Sequence, residues 1–396
     1  DIRKIADTLG VTTVLEGSVR RAGTRLRVTA QLIQASDGTH LWSQRYDREM
    51  SDIFAVQDEI SAAIAGALKV KCSRAPGRRM RTLPAYEAYL QYRSYQWKFT
   101  PEASQRSKEC LERALALDPD FALPYVGLAD YHLALSAVGA MPKDMAMPRI
   151  RELAQRALDL DADLQDAHAM LGIVAASDYD WAEAGRRFRL ATAREPLSPH
   201  LRQWYASFWL SATGRVEEAR QQMMRTVEED PLCQMWRYMY STVLKGLGLD
   251  DEAIAQGCRA VELDPQFWLG WMDLGLAYAV RGRHADALMC AEKAYAAAPW
   301  SPYSIAVMAG ALAVNGQVEN AEPLMTRLHD NPSWEPVARC VYCLCRGEVE
   351  QAAEWAVKAA ERRLPGVIML VTRPYAPLLR HCAAWPALMK AINLPS

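Results

Sequence analysis

The stretch WLGWMDLGLAYAVRGRHADALMCAEKAYAAAP, residues 268–299, decides the fold. Two apolar-rich segments flank Arg281-Gly282-Arg283, and both carry helical rather than alternating periodicity. Gly282 ends the first where a positive backbone dihedral is cheapest, and Pro299 stops the second. Gly275, Ala287 and Ala294 are small where two helices must approach closely, while Trp271, Leu274 and Tyr278 fill the gaps between neighbouring hairpins. One such hairpin cannot bury its own apolar face, so the reading requires copies.

Copies are present. Pro231, Pro265 and Pro299 are spaced by 34 residues, and Pro196 precedes Pro231 by 35. The unit Gln165–Pro196 places Leu171, Gly172, Ala184, Phe188 and Ala191 in register, and Gln234–Pro265 places Tyr240, Leu244, Gly248, Ala253 and Ala260. The unit 199–231 carries Tyr205, Ala206, Gly214 and Ala219, and degenerate units occupy 84–119, 120–162, 302–331 and 334–363, with Pro323 expected in the first turn of a second helix. The pattern resembles the tetratricopeptide repeat (TPR) family. The resemblance implies a mainly α protein, a right-handed TPR α-solenoid of about eight helical hairpins over 84–363. Residues 364–396 no longer repeat and read as a helical cap over the last hairpin.

Before residue 84 the period changes. Ile2, Ile5, Ala6 and Leu9 make a short helix closed by Gly10. Three strand-like runs follow, Thr12–Arg20, Arg25–Gln34 and Thr39–Tyr46, separated by the hairpin signals Ala22-Gly23 and Asp37-Gly38. A helix over Ile53–Lys69 completes a small α+β unit, one that reads as truncated because a sheet edge is left unpaired. Residues 73–83, with Pro76, Gly77 and Arg74, Arg78, Arg79 and Arg81, read as a basic linker. The run VLEGSVRRAGTRLRVTAQLIQASDGTHLWSQRYDREMSDIFAVQDEI, residues 14–60, is similar to the second half of a TolB-type amino-terminal domain. The resemblance implies that 1–72 is a partial domain of that type. In bacterial signalling proteins such domains stand before TPR arrays, downstream of a Ser/Thr kinase, class III cyclase or winged-helix domain.

Composition narrows the function. The net charge of −1 gives no general reason to expect nucleic acid or an anionic membrane as partner. No apolar run is long enough to span a bilayer. The 9 cysteines lie mostly in helical patterns and favour a reducing, cytoplasmic compartment, with a periplasmic part of a membrane-anchored parent as the alternative. Cys340, Cys343 and Cys345 are close enough to suggest a metal, but no second cluster accompanies them and they read as small core hydrophobes. GxxxxGK, HExxH and GxSxG are missing, and the 7 histidines fall in no ligand or triad spacing. No catalytic residue, cofactor or metal is therefore expected, and the chain reads as a non-enzyme.

In the family it resembles, first helices line a concave channel. Register matching then makes Ala169, Ile173, His200, Gln203, Ser207, Tyr238, Thr242, Met272 and Leu276 the candidate partner-binding groove. The lysines and asparagines of a carboxylate clamp are missing there. The lining suits a protein or peptide segment with apolar anchors, or self-association with another copy. Among Trp204, Tyr205, Phe208 and Trp209, at least one is expected to face the groove. The expected function is a non-catalytic protein–protein interaction scaffold, the regulatory or sensory part of a bacterial signalling protein. The alternative is an accessory module of a kinase or nucleotide cyclase encoded upstream of residue 1.

Overall fold

The computed structural model describes residues 4–6, 10–49, 53–68, 82–329, 333–364, 366–368 and 375–395. They fall into two compact units, Asp1–Leu83 and Pro84–Ser396. Cys72, residues 73–81 of the linker and most of the short helix expected over 2–9 lie outside the described residues.

The first unit is an antiparallel meander, β1 (Thr13–Ala22), β2 (Arg25–Gln34) and β3 (His40–Glu49), followed by α1 (Ile53–Ala67). Strand register puts Leu15 opposite Leu32 and Val19 opposite Val28, with Tyr46 on the far side of Val28. These side chains therefore share a face. Its centre is buried at Leu26, Ala30, Leu32 and Tyr46, as is Val56 of α1. The β1 side stays open, with Val19 68% exposed.

The second unit is built of eight helical hairpins among the described residues. The first four pair α2 (Leu83–Tyr95) with α3 (Pro101–Leu117), α4 (Ala122–Ala137) with α5 (Lys143–Leu160), α6 (Gln165–Ser177) with α7 (Trp181–Ala191), and α8 (Pro199–Tyr205) with α9 (Val216–Glu229). Helix α8 runs on through a π-helical turn at Ala206–Leu210. The last four pair α10 (Gln234–Gly246) with α11 (Asp250–Leu263), α12 (Trp268–Val280) with α13 (His284–Ala297), α14 (Pro302–Val314) with α15 (Val318–His329), and α16 (Glu335–Cys345) with α17 (Val349–Glu361). Two short helices, α18 (Ala376–Leu379) and α19 (Trp385–Ala391), follow. The architecture is an α-solenoid preceded by a small α+β unit. Pro323 lies deeper than its expected first turn, being the sixth residue of α15.

Close approach explains the small residues. A methyl group built on Gly275 would stand 3.1 Å from Val307 Cγ1 of the next hairpin, and one on Gly310 2.4 Å from Cys345 Cβ. Helices α12 and α14 contain only one charged residue between them, Asp273. Helices apolar on every side must be covered on every side.

That cover comes from the chain itself. The turns inside the first three hairpins lie against the second half of the array. Trp97 O accepts from Gln234 Nε2 at 3.4 Å, and Phe99 O accepts from Trp268 Nε1 at 3.0 Å. Val138 O accepts from Ser301 Oγ at 3.4 Å, one residue from Gly139, whose φ of +88° and contact with Pro302 leave no room for a side chain. Tyr179 OH donates to Ala360 O at 3.3 Å, Asn393 Nδ2 donates to Tyr179 O at 3.4 Å, and Trp181 Nε1 donates to Ile392 O at 2.7 Å. The solenoid is thus closed: its early turns plug the space that its later first helices would otherwise line.

Candidate functional site

Closure changes the status of the expected groove. All nine candidates lie on first helices or the π-helical turn after α8, and every one is buried: Ala169, Ile173, His200, Gln203, Ser207, Tyr238, Thr242, Met272 and Leu276. His200 packs on Trp204 with ring centres 3.8 Å apart and on Trp97 at 4.8 Å. Gln203 Nε2 donates to Ser207 Oγ at 3.0 Å, Thr242 Oγ1 to Met239 O at 2.8 Å, and Tyr238 packs edge-on to Phe267. The expectation of an open inner wall at these positions is corrected. Trp97, Phe99, Gly139 and Tyr179 occupy the channel's neighbourhood, so the wall is core. Of the four aromatics among which at least one was expected to face the groove, Trp204 packs against His200 and is only 2% exposed. Trp209 instead covers Gly185, where a methyl group would meet its ring at 2.5 Å.

The core along this wall contains charge. Lys245 of α10 pairs with Asp273 of α12, both nearly sealed from water, and Ser241 Oγ donates to the same carboxylate at 3.2 Å. Burial pushes the Tyr375 hydroxyl well above its ordinary range, with Asp273 adding to the effect. Burial likewise raises the Asp166 carboxyl, against the opposing influence of His200 and Arg93. The three buried thiols Cys340, Cys343 and Cys345 are pushed up by desolvation, Cys343 to about 11. Protonated thiols of this kind are poor nucleophiles and poor ligands.

What the closed coil leaves open is a cavity of about 470 Å³ between the first two hairpins. Thr100 caps α3, its hydroxyl accepting from Ala103 N at 3.2 Å, with Pro101 at the first helical position. That cap presents Phe99 and Pro101 to the cavity from one side. Helix α2 supplies Tyr92 and Tyr95, α4 supplies Asp130 and Tyr131, and Trp300 approaches from the sixth-to-seventh hairpin junction. Asp130 is 7% exposed. Its Oδ2 accepts from Gln96 Nε2 at 2.8 Å and from Tyr92 OH at 3.5 Å, and His200 Nε2 stands 3.6 Å from Oδ1. Burial and the Asp130 charge together raise the Tyr92 hydroxyl well above its ordinary range. A more open hollow of about 1010 Å³ lies between 142–155 and 333–364, and its Asp178 is paired with both Lys143 and Arg151 at 3.3 Å.

Sequence reading missed the cavity because it weighed the best-formed repeats and passed over the degenerate first two. A signal was available. Tyr86, Tyr89, Tyr92, Tyr95, Trp97 and Phe99 crowd one hairpin, and Asp130 stands alone in an apolar helix.

No protein-family model matches the chain. A protein of Rhizobium meliloti (strain 1021) named "Putative adenylate cyclase 3" is 37% identical over 188 residues, which is 44% of this chain and 30% of that protein. The transcriptional regulator HilA of Salmonella typhimurium is 25% identical over 179 residues, 43% of this chain and 31% of HilA. The chain thus spans about a third of the length of these curated relatives. Among solved structures, the human IFIT1 dimer with m7Gppp-AAAA aligns with a TM-score of 0.55 at 15% identity, over 87% of this chain and 78% of that one. YrrB, described as a TPR protein with an unusual peptide-binding site, matches 50% of this chain and 97% of its own at 22% identity, with a TM-score of 0.32. The fold is of the TPR α-solenoid type. No helix among the described residues is long and apolar enough to cross a membrane.

Proposed function

We propose that this chain is a non-catalytic interaction scaffold, the regulatory or sensory part of a bacterial signalling protein, working in the cytoplasm where its many unpaired thiols stay reduced. The observation that carries the reading is the pair of relatives. One is named as a cyclase and the other as a transcriptional regulator, outputs with no chemistry in common, and what each shares with this chain is under a third of its length. A chain that shares parts with proteins of such unlike output is better read as a control element than as either output. The partial TolB-type reading of residues 1–72 belongs to the same proposal, as does a protein or peptide partner. With the inner wall closed, the partner's place is the surface around the first two hairpins. Self-association through the open β1 side of the small sheet is the competing use of the chain.

A second reading, an accessory module of a kinase or nucleotide cyclase, is favoured specifically by the 37% identity to the cyclase-named relative. The test is to read the coding region upstream of Asp1, express any output domain with and without residues 84–396, and assay its rate. A rate that changes on removal supports the scaffold reading, and a cyclase or kinase as that domain selects the second. An output indifferent to removal, or nucleotide turnover by residues 1–396 alone, contradicts the proposal.

A further inference from the structure

We propose that the cavity between the first two hairpins is a binding site for an organic cation, an ammonium or guanidinium group carried on an apolar stem. This rests on the reading of the chain as a recognition module and names a ligand class for it.

Charge and shape make the case together. Asp130 is the single charged residue in the lining, and no lysine, arginine or glutamate joins it among the described residues. Its side chain is 10% exposed, and the groups that hold it, Gln96 and Tyr92, are neutral donors. His200 Nε2 stands 3.6 Å from Oδ1, its ring packed between Trp97 and Trp204, and the Arg93 charge also reaches Asp130. A buried carboxylate whose cationic neighbours do not close a hydrogen bond on it remains costly, and a ligand cation in the cavity lowers that cost. Around this floor stand Tyr92, Tyr95, Phe99, Tyr131 and Trp300, faces that attract cations and cover an apolar stem. Lys98, which is not among the lining residues, shows the Tyr95 ring taking a cation, its Nζ 5.7 Å from the ring centre. Gln96 also lines the cavity; its Nε2 holds Asp130, and its buried Oε1 has no hydrogen-bond partner. A volume of about 470 Å³ holds a ligand of amino-acid or aryl-alkylamine size.

Free amines and the side chains of lysine and arginine share this chemistry, and the experiment separates them. The intact 396-residue chain is titrated calorimetrically with phenethylammonium, 2-phenylethanol, 3-phenylpropionate and Nα-acetyl-lysinamide. The expected result is saturable binding of the ammonium probe at least tenfold tighter than that of the alcohol, with the carboxylate weakest. Asp130→Asn is expected to erase the tenfold preference while leaving the alcohol unchanged, and Ala134→Phe, which fills the cavity, to abolish both. Tighter binding of the lysinamide than of phenethylammonium assigns the site to a peptide side chain, and the reverse order assigns it to a free amine. Equal affinity for the three phenyl probes, no cation binding to the folded chain, or a cation preference that survives Asp130→Asn overturns the proposal. Should Asp130→Asn fail to fold by thermal melt, Ala134→Phe decides, because cation binding that persists in a filled cavity is equally fatal. The scaffold reading fails separately: an output indifferent to residues 84–396 leaves cation binding untouched, and a silent cavity leaves the output effect untouched.

Discussion

Asp273 and Lys245 are 6% and 5% exposed at their side chains, deep in the buried wall. Removing one member strands the other charge in a low-dielectric setting, which typically costs ~3–5 kcal/mol. Asp273→Ala is therefore expected to lower the denaturant midpoint by that equivalent, while the joint change Asp273→Leu with Lys245→Met restores most of it. Recovery that does not appear in the double variant would mean that the pair's hydrogen bonds, and not its charge balance, hold the site. Asp166 gives a pH test of the same wall. Its folded carboxyl holds a proton more tightly than the unfolded chain does, because burial raises its pKa. The folded state is thus penalised once pH rises above the ordinary carboxylate range, and the penalty vanishes below it. Asp166→Asn, neutral at every pH, is expected to raise the melting temperature at pH 7 and to leave it unchanged near pH 3. His200, Arg93 and Asp130 face Asp166 and set the size of the effect. A gain that is equal at both pH values contradicts the assignment.

At the scale of elements, glycines tell a free turn from a docked one. Gly316 has φ +79° with nothing within 4 Å of an added methyl, and Gly139 has φ +88° with Pro302 Cγ at 2.6 Å. Gly316→Ala carries only the backbone penalty of a left-handed residue, about 1 kcal/mol. Gly139→Ala adds overpacking against Pro302, a further ~1–3 kcal/mol. Chemical denaturation of the two variants should show that difference, and equal losses would mean that the 138–142 turn does not press on the seventh hairpin. Helices were the legible part of this chain. Period, proline spacing and turn glycines are local signals, and Trp268–Pro299 carries all of them within one unit. Pro323 shows the limit of local reading, since a proline tolerated in the second turn of α15 obeys packing that its neighbours in sequence do not reveal.

Over the whole solenoid, the sequence carries the stacking of neighbours but not the contact between its ends. Hydrogen bonds such as Tyr179 to Ala360 and Trp268 to Phe99 join residues far apart in the chain, and no periodicity encodes them. The nine groove residues lie on first helices or, for Ser207, on the π-helical turn that follows one, and their exposure depends on what the rest of the coil does. One clue was present. A wall that meets water needs a polar side, and 302–314 (PYSIAVMAGALAV) has none. For the cavity between the first two hairpins, the aromatic run and the lone Asp130 were legible, but the space they enclose was not, because residues as distant as Trp300 complete its lining.

Closure is tested most directly by maleimide labelling of Thr242→Cys in the intact chain, mapped by peptide mass spectrometry so that native thiols are told apart, with Ala140→Cys as the exposed control. Thr242 is 4% exposed, so its replacement thiol should stay unlabelled while Ala140→Cys reacts fully. Labelling of Thr242→Cys at the rate of the control would show an open inner wall and contradict the closed solenoid.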